Sequence, residues 1–446
     1  MKSFAFAGVA LALLALAPSG AALADAPQPL TLAQAVAIAA DKSPSVALAN
    51  LRTQEAAAKV GQSRGALLPT VTGQASMVDR TFNLYTLGIT LPTIPGLPPY
   101  AKLQGPVYDS EARLQVAQPL FDLASWRRMR ASQLGVQGAR ADQGVSAEGA
   151  AQSAAIAYLR AARAQALVTA RTEDLGLAQQ LDSLAEAQLA AGTSPQIDVT
   201  RARTQLATTR GELVIARNAR DRARIDLARA LGLDPNTPLA LVDTLSASLG
   251  TSESPGETAA AVAFALEHRP ELRGEQARLA RARADRAATA DERLPRVGVS
   301  ADWGQSGQHY ADAIPTYTYA LGVTVPLVDG FRREGKLAEE GALVRESEVR
   351  EHDLRDQIAA EVNGALLDLA TGQEQETIVR ERLQLALEEV SQATDRFTSG
   401  VAGNIEVIDA QSSLVQARDA DIDARFAVAS ARVALARAAG VARNVH

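Results

Sequence analysis

Two long stretches of the chain, 124–191 and 332–398, contain no proline. Leucine or alanine recurs through both at three- and four-residue steps, the period of a helix face. Each therefore reads as one continuous helix, on the order of 100 Å long at 1.5 Å per residue. Glycine closes both runs, in Gly192-Thr-Ser-Pro195 and in Gly400-Val-Ala-Gly403, and glycine is the residue that best ends a helix in a left-handed turn. Helices of this length with an Ala/Leu seam pack side by side like coiled coils. Composition agrees, because 47 % of the 446 residues are hydrophobic but only 4 % are aromatic, too little volume for a thick core. Gly135, Gly138, Gly144 and Gly149 weaken the start of the first long helix, and close packing against another helix is the reason expected for them.

The two runs belong to a tandem repeat. Gly192, Ile197, Asp198, Val199, Ala202 and Leu206 correspond to Gly400, Ile405, Glu406, Val407, Ala410 and Leu414 (400 − 192 = 208). At the same offset Leu227-Ala-Arg-Ala-Leu-Gly232 corresponds to Leu435-Ala-Arg-Ala-Ala-Gly440. Earlier in each half Ser43-Pro44 matches Arg269-Pro270, Leu68-Pro69 matches Leu294-Pro295, and Pro119-Leu-Phe-Asp122 matches Pro326-Leu-Val-Asp329. The offset falls from 226 to 207 between the last two matches, so the first half carries 226 − 207 = 19 extra residues there. They are visible as the proline-rich loop 91–100. Each half reads helix, strand, loop, strand, long helix, turn, helix. The first repeat is placed at 25–232, with a strand pair near 69–119, the long helix 124–191 and a helix 196–232. The linker 233–257 holds Pro235, Pro238 and Pro255. The second repeat is placed at 258–441, with a strand pair near 295–326, the long helix 332–398 and a helix 404–440, and 442–446 forms a short tail.

The first residues have the three parts of a secretory signal: Met1-Lys2, the apolar run 4–17, and Ala22-Leu-Ala24 before Asp25. The run is shorter than the roughly 20 residues a membrane helix needs, so cleavage after Ala24 is expected and 1–24 is assigned as signal peptide. The chain has no cysteine, which excludes disulfides, thiolate metal sites and an acylated N-terminal cysteine. Its formal charge of −6 gives no general attraction for nucleic acid.

Four segments alternate between apolar and small or polar residues. Tyr317, Tyr319, Leu321, Val323 and Val325 alternate with Thr318, Ala320, Gly322 and Thr324; Val297, Val299, Ala301 and Trp303 alternate with Gly298, Ser300 and Asp302. Ala112, Leu114 and Val116 alternate with Glu111, Arg113 and Gln115, and 71–79 alternates less clearly. Period two gives one apolar and one wet face. In an exported chain, strands about ten residues long suit an outer-membrane barrel. Four strands cannot close one, since the smallest bacterial barrels have about eight, and open edges are not tolerated in lipid. Several copies must then share one barrel, with the long helices continuing it as a periplasmic tube. The competing reading is a periplasmic coiled-coil adaptor or scaffold that never enters the membrane.

Sites of chemistry are scarce. Gly61-Gln-Ser-Arg-Gly65 fits G-x-S-x-G but follows a helix and precedes a strand, the reverse of a nucleophile elbow. His268, His309, His352 and His446 are too far apart in sequence to share one helix face as metal ligands. Trp126, followed by Arg127, Arg128 and Arg130, marks a membrane interface, its arginines facing headgroups or water. The arginine-rich stretch 278–286 reads as a solvated helix face. No catalysis, cofactor or metal is expected.

In the order and spacing of several motifs the chain resembles the TolC family of outer-membrane efflux factors. These are Leu30-Thr-Leu-Ala-Gln-Ala-Val36, Leu68-Pro-Thr-Val71, Gln118-Pro-Leu-Phe-Asp122, Ala157-Tyr-Leu159, Phe397-Thr-Ser-Gly400 and Ile405-Glu-Val-Ile-Asp-Ala410. The resemblance implies a mainly α fold with a β-barrel portion: a homotrimer whose 12-helix periplasmic tunnel continues a 12-stranded outer-membrane barrel, four strands from each chain. It implies a periplasmic adaptor and an inner-membrane RND pump or ABC transporter as partners, with outer-membrane lipid around the barrel. The implied role is passive export of drugs, other small molecules or polypeptides. The family's entrance is narrowed by acidic residues after the second helix–helix turn, which match Glu406 and Asp409 here. A spacing of three puts both on one helix face, and in a trimer they would form two stacked, cation-favouring rings. Negative charge near a helix N-terminus is also favourable in itself. The first-half equivalents, Asp198 and Arg201, are expected to neutralise each other. Gly192 and Gly400 mark the turn tips expected to meet the adaptor. The family's latch arginine is replaced by Ala402, and a tyrosine of the same network by Phe397.

Overall fold

The computed structural model describes residues 28–446 other than 84–85, 87, 89–94, 97–102, 247, 251 and 253–254. The signal peptide 1–24 and, apart from Pro95 and Gly96, the loop 91–100 lie outside the described residues.

The first half contains β1 (Gln28–Leu30), α1 (Leu32–Lys42), α2 (Pro44–Gly65), β2 (Thr70–Asn83), β3 (Leu103–Phe121), α3 (Leu123–Ala190) and α4 (Gln196–Ala230). After β4 (Leu239–Leu241) the second half repeats the order: α5 (Thr258–His268), α6 (Pro270–Asp291), β5 (Arg296–Gly307), β6 (Ile314–Thr324), α7 (Arg332–Thr398) and α8 (Asn404–Ala438). Local chemistry sets the helix starts. Thr31 and Gln34 form a capping box on α1, and Ser43 caps α2 with Pro44 in its first turn. Asp122 caps α3, accepting the Ser125 N–H at 3.0 Å. Its repeat partner Asp329 instead accepts from Arg333 at 3.3 Å, and α7 begins after Phe331, whose φ is 61°.

The helices lie side by side. Toward the sheet, α2 packs on α3, α3 on α6, and α6 on α7. Toward the helical turns the order is α4, α3, α8, α7. Two of the α3 glycines explain themselves: a Cβ on Gly144 would lie 3.1 Å from Pro270, and one on Gly138 3.9 Å from Ala277. They let α6 approach α3 closely. The arginine-rich face of α6 is a seam of ion pairs as well as a wet surface, for Arg278 reaches Asp142 and Arg283 reaches Glu348.

The largest core lies midway along α3, where α1, the parallel β1–β4 pair and the ends of α4 and α8 converge on Tyr158 and Leu159. The Tyr158 hydroxyl sits 2.9 Å from the Leu30 carbonyl and 3.0 Å from the Asp243 carboxylate. Burial raises the pKa of that hydroxyl. The last residues, 442–446, also join the core. Ala442 and Val445 are buried, and buried Glu148 accepts the Ala442 N–H and the Arg443 guanidinium at 2.6 and 2.7 Å.

The strands form one antiparallel sheet in the order β2-β3-β5-β6. Register lines up Gly73, Leu114, Trp303 and Tyr317, and next to them Val71, Val116, Ala301 and Tyr319. The large apolar members of these rows are all exposed. The rows between are polar: Thr72, Gln115, Asp302 and Thr318, then Gln74, Arg113, Gly304 and Thr316. Arg113 bonds Asp302 at 2.5 Å and Thr316 at 3.1 Å. Gly304 lets the strands approach here, since a Cβ would lie 2.2 Å from the Ala112 carbonyl oxygen and 2.6 Å from the Arg113 side chain. An uncovered apolar face opposite a polar one is the pattern of a lipid-facing strand set. Among the described residues no helix is long and apolar enough to cross a membrane.

Candidate channel entrance

The two helical hairpins end side by side at the tips farthest from the sheet. Each tip is built the same way. Gly192 and Gly400 have φ of +70° and +72°. The N–H of Thr193 bonds the Gln188 carbonyl, and that of Val401 the Arg396 carbonyl. This closes a Schellman turn on each long helix. Nothing lies within 4 Å of where a Cβ would stand on either glycine. The left-handed backbone alone selects glycine there.

The tips share a core of Leu181, Val199, Val390, Phe397, Val407 and Leu414. Phe397 is 2 % exposed. Its ring is packing, while its carbonyl accepts from Gln188 Nε2 at 3.1 Å. Asn404 Nδ2 likewise donates to the Asp198 carbonyl at 2.7 Å. These two bonds tie the first hairpin to the second. Sequence reasoning missed both Gln188 and Asn404, because their partners are backbone carbonyls on the other repeat.

The candidate charged residues divide. Asp198 is buried, accepts the Ser194 hydroxyl at 2.7 Å, and lies 3.6 Å from Arg201. Glu406 is in the first turn of α8 and pairs with Arg396 Nε at 3.1 Å. Its charge is therefore offset within the chain. Arg396 was missed; it lies ten residues before Glu406, a spacing that faces residues across a tight hairpin. Asp409 is exposed, and no described residue pairs with it. Ala402 is half-buried beside the Gly400 turn.

Above the tips a denser charge layer joins α3 to α8. Arg171 bonds Asp419 at 2.7 Å and Asp174 at 3.1 Å, Arg418 reaches Glu173 at 3.0 Å, and Arg418 also pairs with Asp174. Burial pushes the Asp174 carboxyl above its usual range, against the pull of Arg418 and Arg171.

Other candidate sites take structural roles. Ser63 of the G-x-S-x-G match is inside α2 and shares a 2.8 Å hydrogen bond with Ser132. Arg127 and Arg128 stay partly exposed while pairing with Asp291 and Glu292 at the end of α6. Trp126 beside them is exposed. Among the described residues no group of three or more His, Asp or Glu is placed to hold a metal ion.

The family model for outer membrane efflux proteins matches residues 35–233 and 262–441. Over 288 residues the chain is 27 % identical to Protein CyaE of Bordetella pertussis, covering 64 % of this chain and 60 % of that one. Over 272 residues it is 25 % identical to the pyoverdine export outer membrane protein OpmQ of Pseudomonas putida, covering 59 % and 56 %. The chain thus spans less than two thirds of the length of these curated relatives. The CmeC outer membrane channel of Campylobacter jejuni has the same fold, with a TM-score of 0.75 over 92 % of this chain and 86 % of that one, at 16 % identity. Both repeats, each with its strand pair and long hairpin, fall inside the family match, and the chain belongs to the outer membrane efflux protein family.

Proposed function

We propose that three copies of this chain form the outer-membrane exit duct of a tripartite export system. The open sheet carries this reading. Among the described residues, strands β2 and β6 each leave one edge unpaired, and the sheet's apolar face is uncovered. Lipid tolerates neither an open edge nor an isolated four-stranded sheet. Three copies would bring twelve strands, within the range of bacterial barrels, and the family membership supports that number. The helical layers would then continue the barrel as a tunnel. The duct is passive: a periplasmic adaptor would meet the tips at Gly192 and Gly400, and an RND pump or ABC transporter in the inner membrane would supply the energy. Small molecules, drugs or secreted polypeptides are its cargo classes, and the name of OpmQ supports the small-molecule class.

At the entrance, Asp409 is the unpaired carboxylate that would form a threefold ring. Glu406 is held by Arg396, and Asp198 by Arg201. A ring of carboxylates favours cations and binds multivalent ones. Asp409→Asn should therefore reduce cation preference and multivalent-cation block more than Glu406→Gln does. Unchanged reversal potential and block in Asp409→Asn would remove the ring assignment. Native mass spectrometry of the detergent-extracted protein tests the duct itself. Three copies are expected; a soluble monomer would favour the periplasmic scaffold.

A further inference from the structure

Where β3 hands over to α3 the surface is hollow. The hollow holds about 490 Å³ and is lined by Leu67, Gln118, Leu120, Phe121, Leu123 and Trp126. That volume is in the range of small-ligand sites. Leu120, Phe121 and Trp126 remain exposed around it. Gln118 Nε2 is spent on the Leu67 and Pro119 carbonyls, at 3.0 and 2.8 Å. Asp122 at the rim is taken up by the Ser125 N–H and hydroxyl, at 3.0 and 2.7 Å, and lies 4.0 Å from Arg296. What the hollow offers is therefore mainly apolar. Gln118 stands two and four residues beyond Val116 and Leu114, on the same face of β3. The hollow thus continues the sheet's uncovered apolar face toward the helices.

Beside it stands a cation that nothing in the chain neutralises. Arg127 and Arg128 pair with Asp291 and Glu292. Arg130 is exposed, and no described residue pairs with it. It follows Trp126 by four residues, so the two share one face of α3, about 6 Å apart along its axis. The second half lacks this arrangement. At the 207-residue offset of the strand ends, Trp126 and Arg130 correspond to Arg333 and Leu337. Arg333 is buried and pairs with Asp329 at 3.3 Å. The aromatic and the free cation therefore belong to one junction and not to the repeat as such.

We propose that this junction binds one anionic phospholipid from the leaflet on the helix side of the membrane. An acyl chain lies in the hollow against Leu120, Phe121 and Trp126, and the headgroup phosphate meets the Arg130 guanidinium. Tryptophan suits the boundary between hydrocarbon and headgroups. Arginine lays its stem along apolar surface and puts its charge in the polar layer. Lipid is the occupant for two reasons. The hollow is continuous with the sheet face read as lipid-facing. In addition, β3 lies between β2 and β5, and α3 lies between α2 and α6, so a copy joining at the sheet edges does not cover it. The inference rests on the duct reading and deepens it by naming a lipid partner.

The chain has two tryptophans, and each reports one place. Trp303→Phe leaves Trp126 at the junction, and Trp126→Phe leaves Trp303 on the open sheet. Each whole protein is reconstituted in phosphatidylethanolamine vesicles. These carry a small fraction of dibrominated phosphatidylglycerol or, in parallel, of dibrominated phosphatidylethanolamine, whose bromines quench tryptophan on contact. Trp303 should be quenched equally by the two, as contact with bulk lipid requires. Trp126 should respond to the anionic lipid at about one fifth of the mole fraction needed with the other, since one arginine beside an anionic lipid is worth about fivefold in affinity. Arg130→Gln, made in both backgrounds, should remove that preference and leave the Trp303 signal unchanged. Equal quenching of Trp126 by both lipids, or a preference that survives Arg130→Gln, overturns the site while leaving the duct reading intact. Trp303 left unquenched by either lipid would take the sheet out of the membrane and overturn both.

Discussion

Glu148 is a carboxylate placed where burial alone would make it costly. It is 1 % exposed, and the Ala442 N–H and Arg443 guanidinium satisfy it. Removing it strands the buried Ala442 N–H, whereas the half-exposed Arg443 guanidinium can turn to water. Glu148→Ala should cost about 1–3 kcal/mol, as leaving a buried donor unsatisfied does, and a denaturation series would measure it. A second network joins α6, α7 and α8: Arg269 bonds Glu271 at 3.3 Å and pairs with Glu361, and Arg437 also pairs with Glu271. Burial raises the Glu271 carboxyl, but Arg269 and Arg437 outweigh it and hold the group below its usual 4.5. A lowered folded pKa stabilises the fold above the unfolded value and loses that stabilisation as pH falls through the folded one. Thermal stability should therefore drop as pH falls below about 4.5, and more steeply in the natural chain than in Glu271→Gln. Equal slopes would show that Glu271 is not the group responsible. The family resemblance pointed to Glu406 and Asp409, because they stand just after the second helix–helix turn where the family has acidic residues. It could not reveal that Arg396 answers Glu406, since that contact exists only once the hairpin closes.

At the scale of elements, what the sequence showed depended on period and length. Sixty-eight residues of helix without proline are legible in any reading, and so are strands in which Leu321 and Val323 alternate with Ala320 and Gly322. The strand β2 was fainter because Gly73 and Ala75 stand where its apolar row should be large. The three-residue β4 carries no period at all, and only its pairing with β1 reveals it. The tip turns were legible through glycine, and they make a clean prediction. Gly192→Ala and Gly400→Ala meet open space, so each should cost only the left-handed backbone penalty of about 1–2 kcal/mol, additively, as read by thermal melts. The sheet makes another. Val116 and Gln115 are neighbours on opposite faces. Val116→Arg should impair assembly in the outer membrane by about 2–4 kcal/mol at the midplane, whereas Gln115→Arg should be tolerated. Equal yields of the two variants in outer-membrane fractions would refute the assignment of faces.

At the scale of the whole molecule, two hairpins on one four-stranded sheet make a body with two unfinished sides. Among the described residues the sheet ends in free edges at β2 and β6, and the helical layer ends in α4 and α7. Within the chain the ion-paired seam between α3 and α8 joins the two hairpins. Repetition of the chain around an axis gives a tube, with the polar sheet rows and Arg113 inside and the apolar rows against lipid. The most direct test is the single-channel conductance of the purified protein in a planar bilayer, with reversal potentials taken in a salt gradient. A small cation-selective conductance, blocked from one side by multivalent cations, is the predicted result. Intact assemblies that pass no current, or that prefer anions, would contradict a duct narrowed by carboxylates.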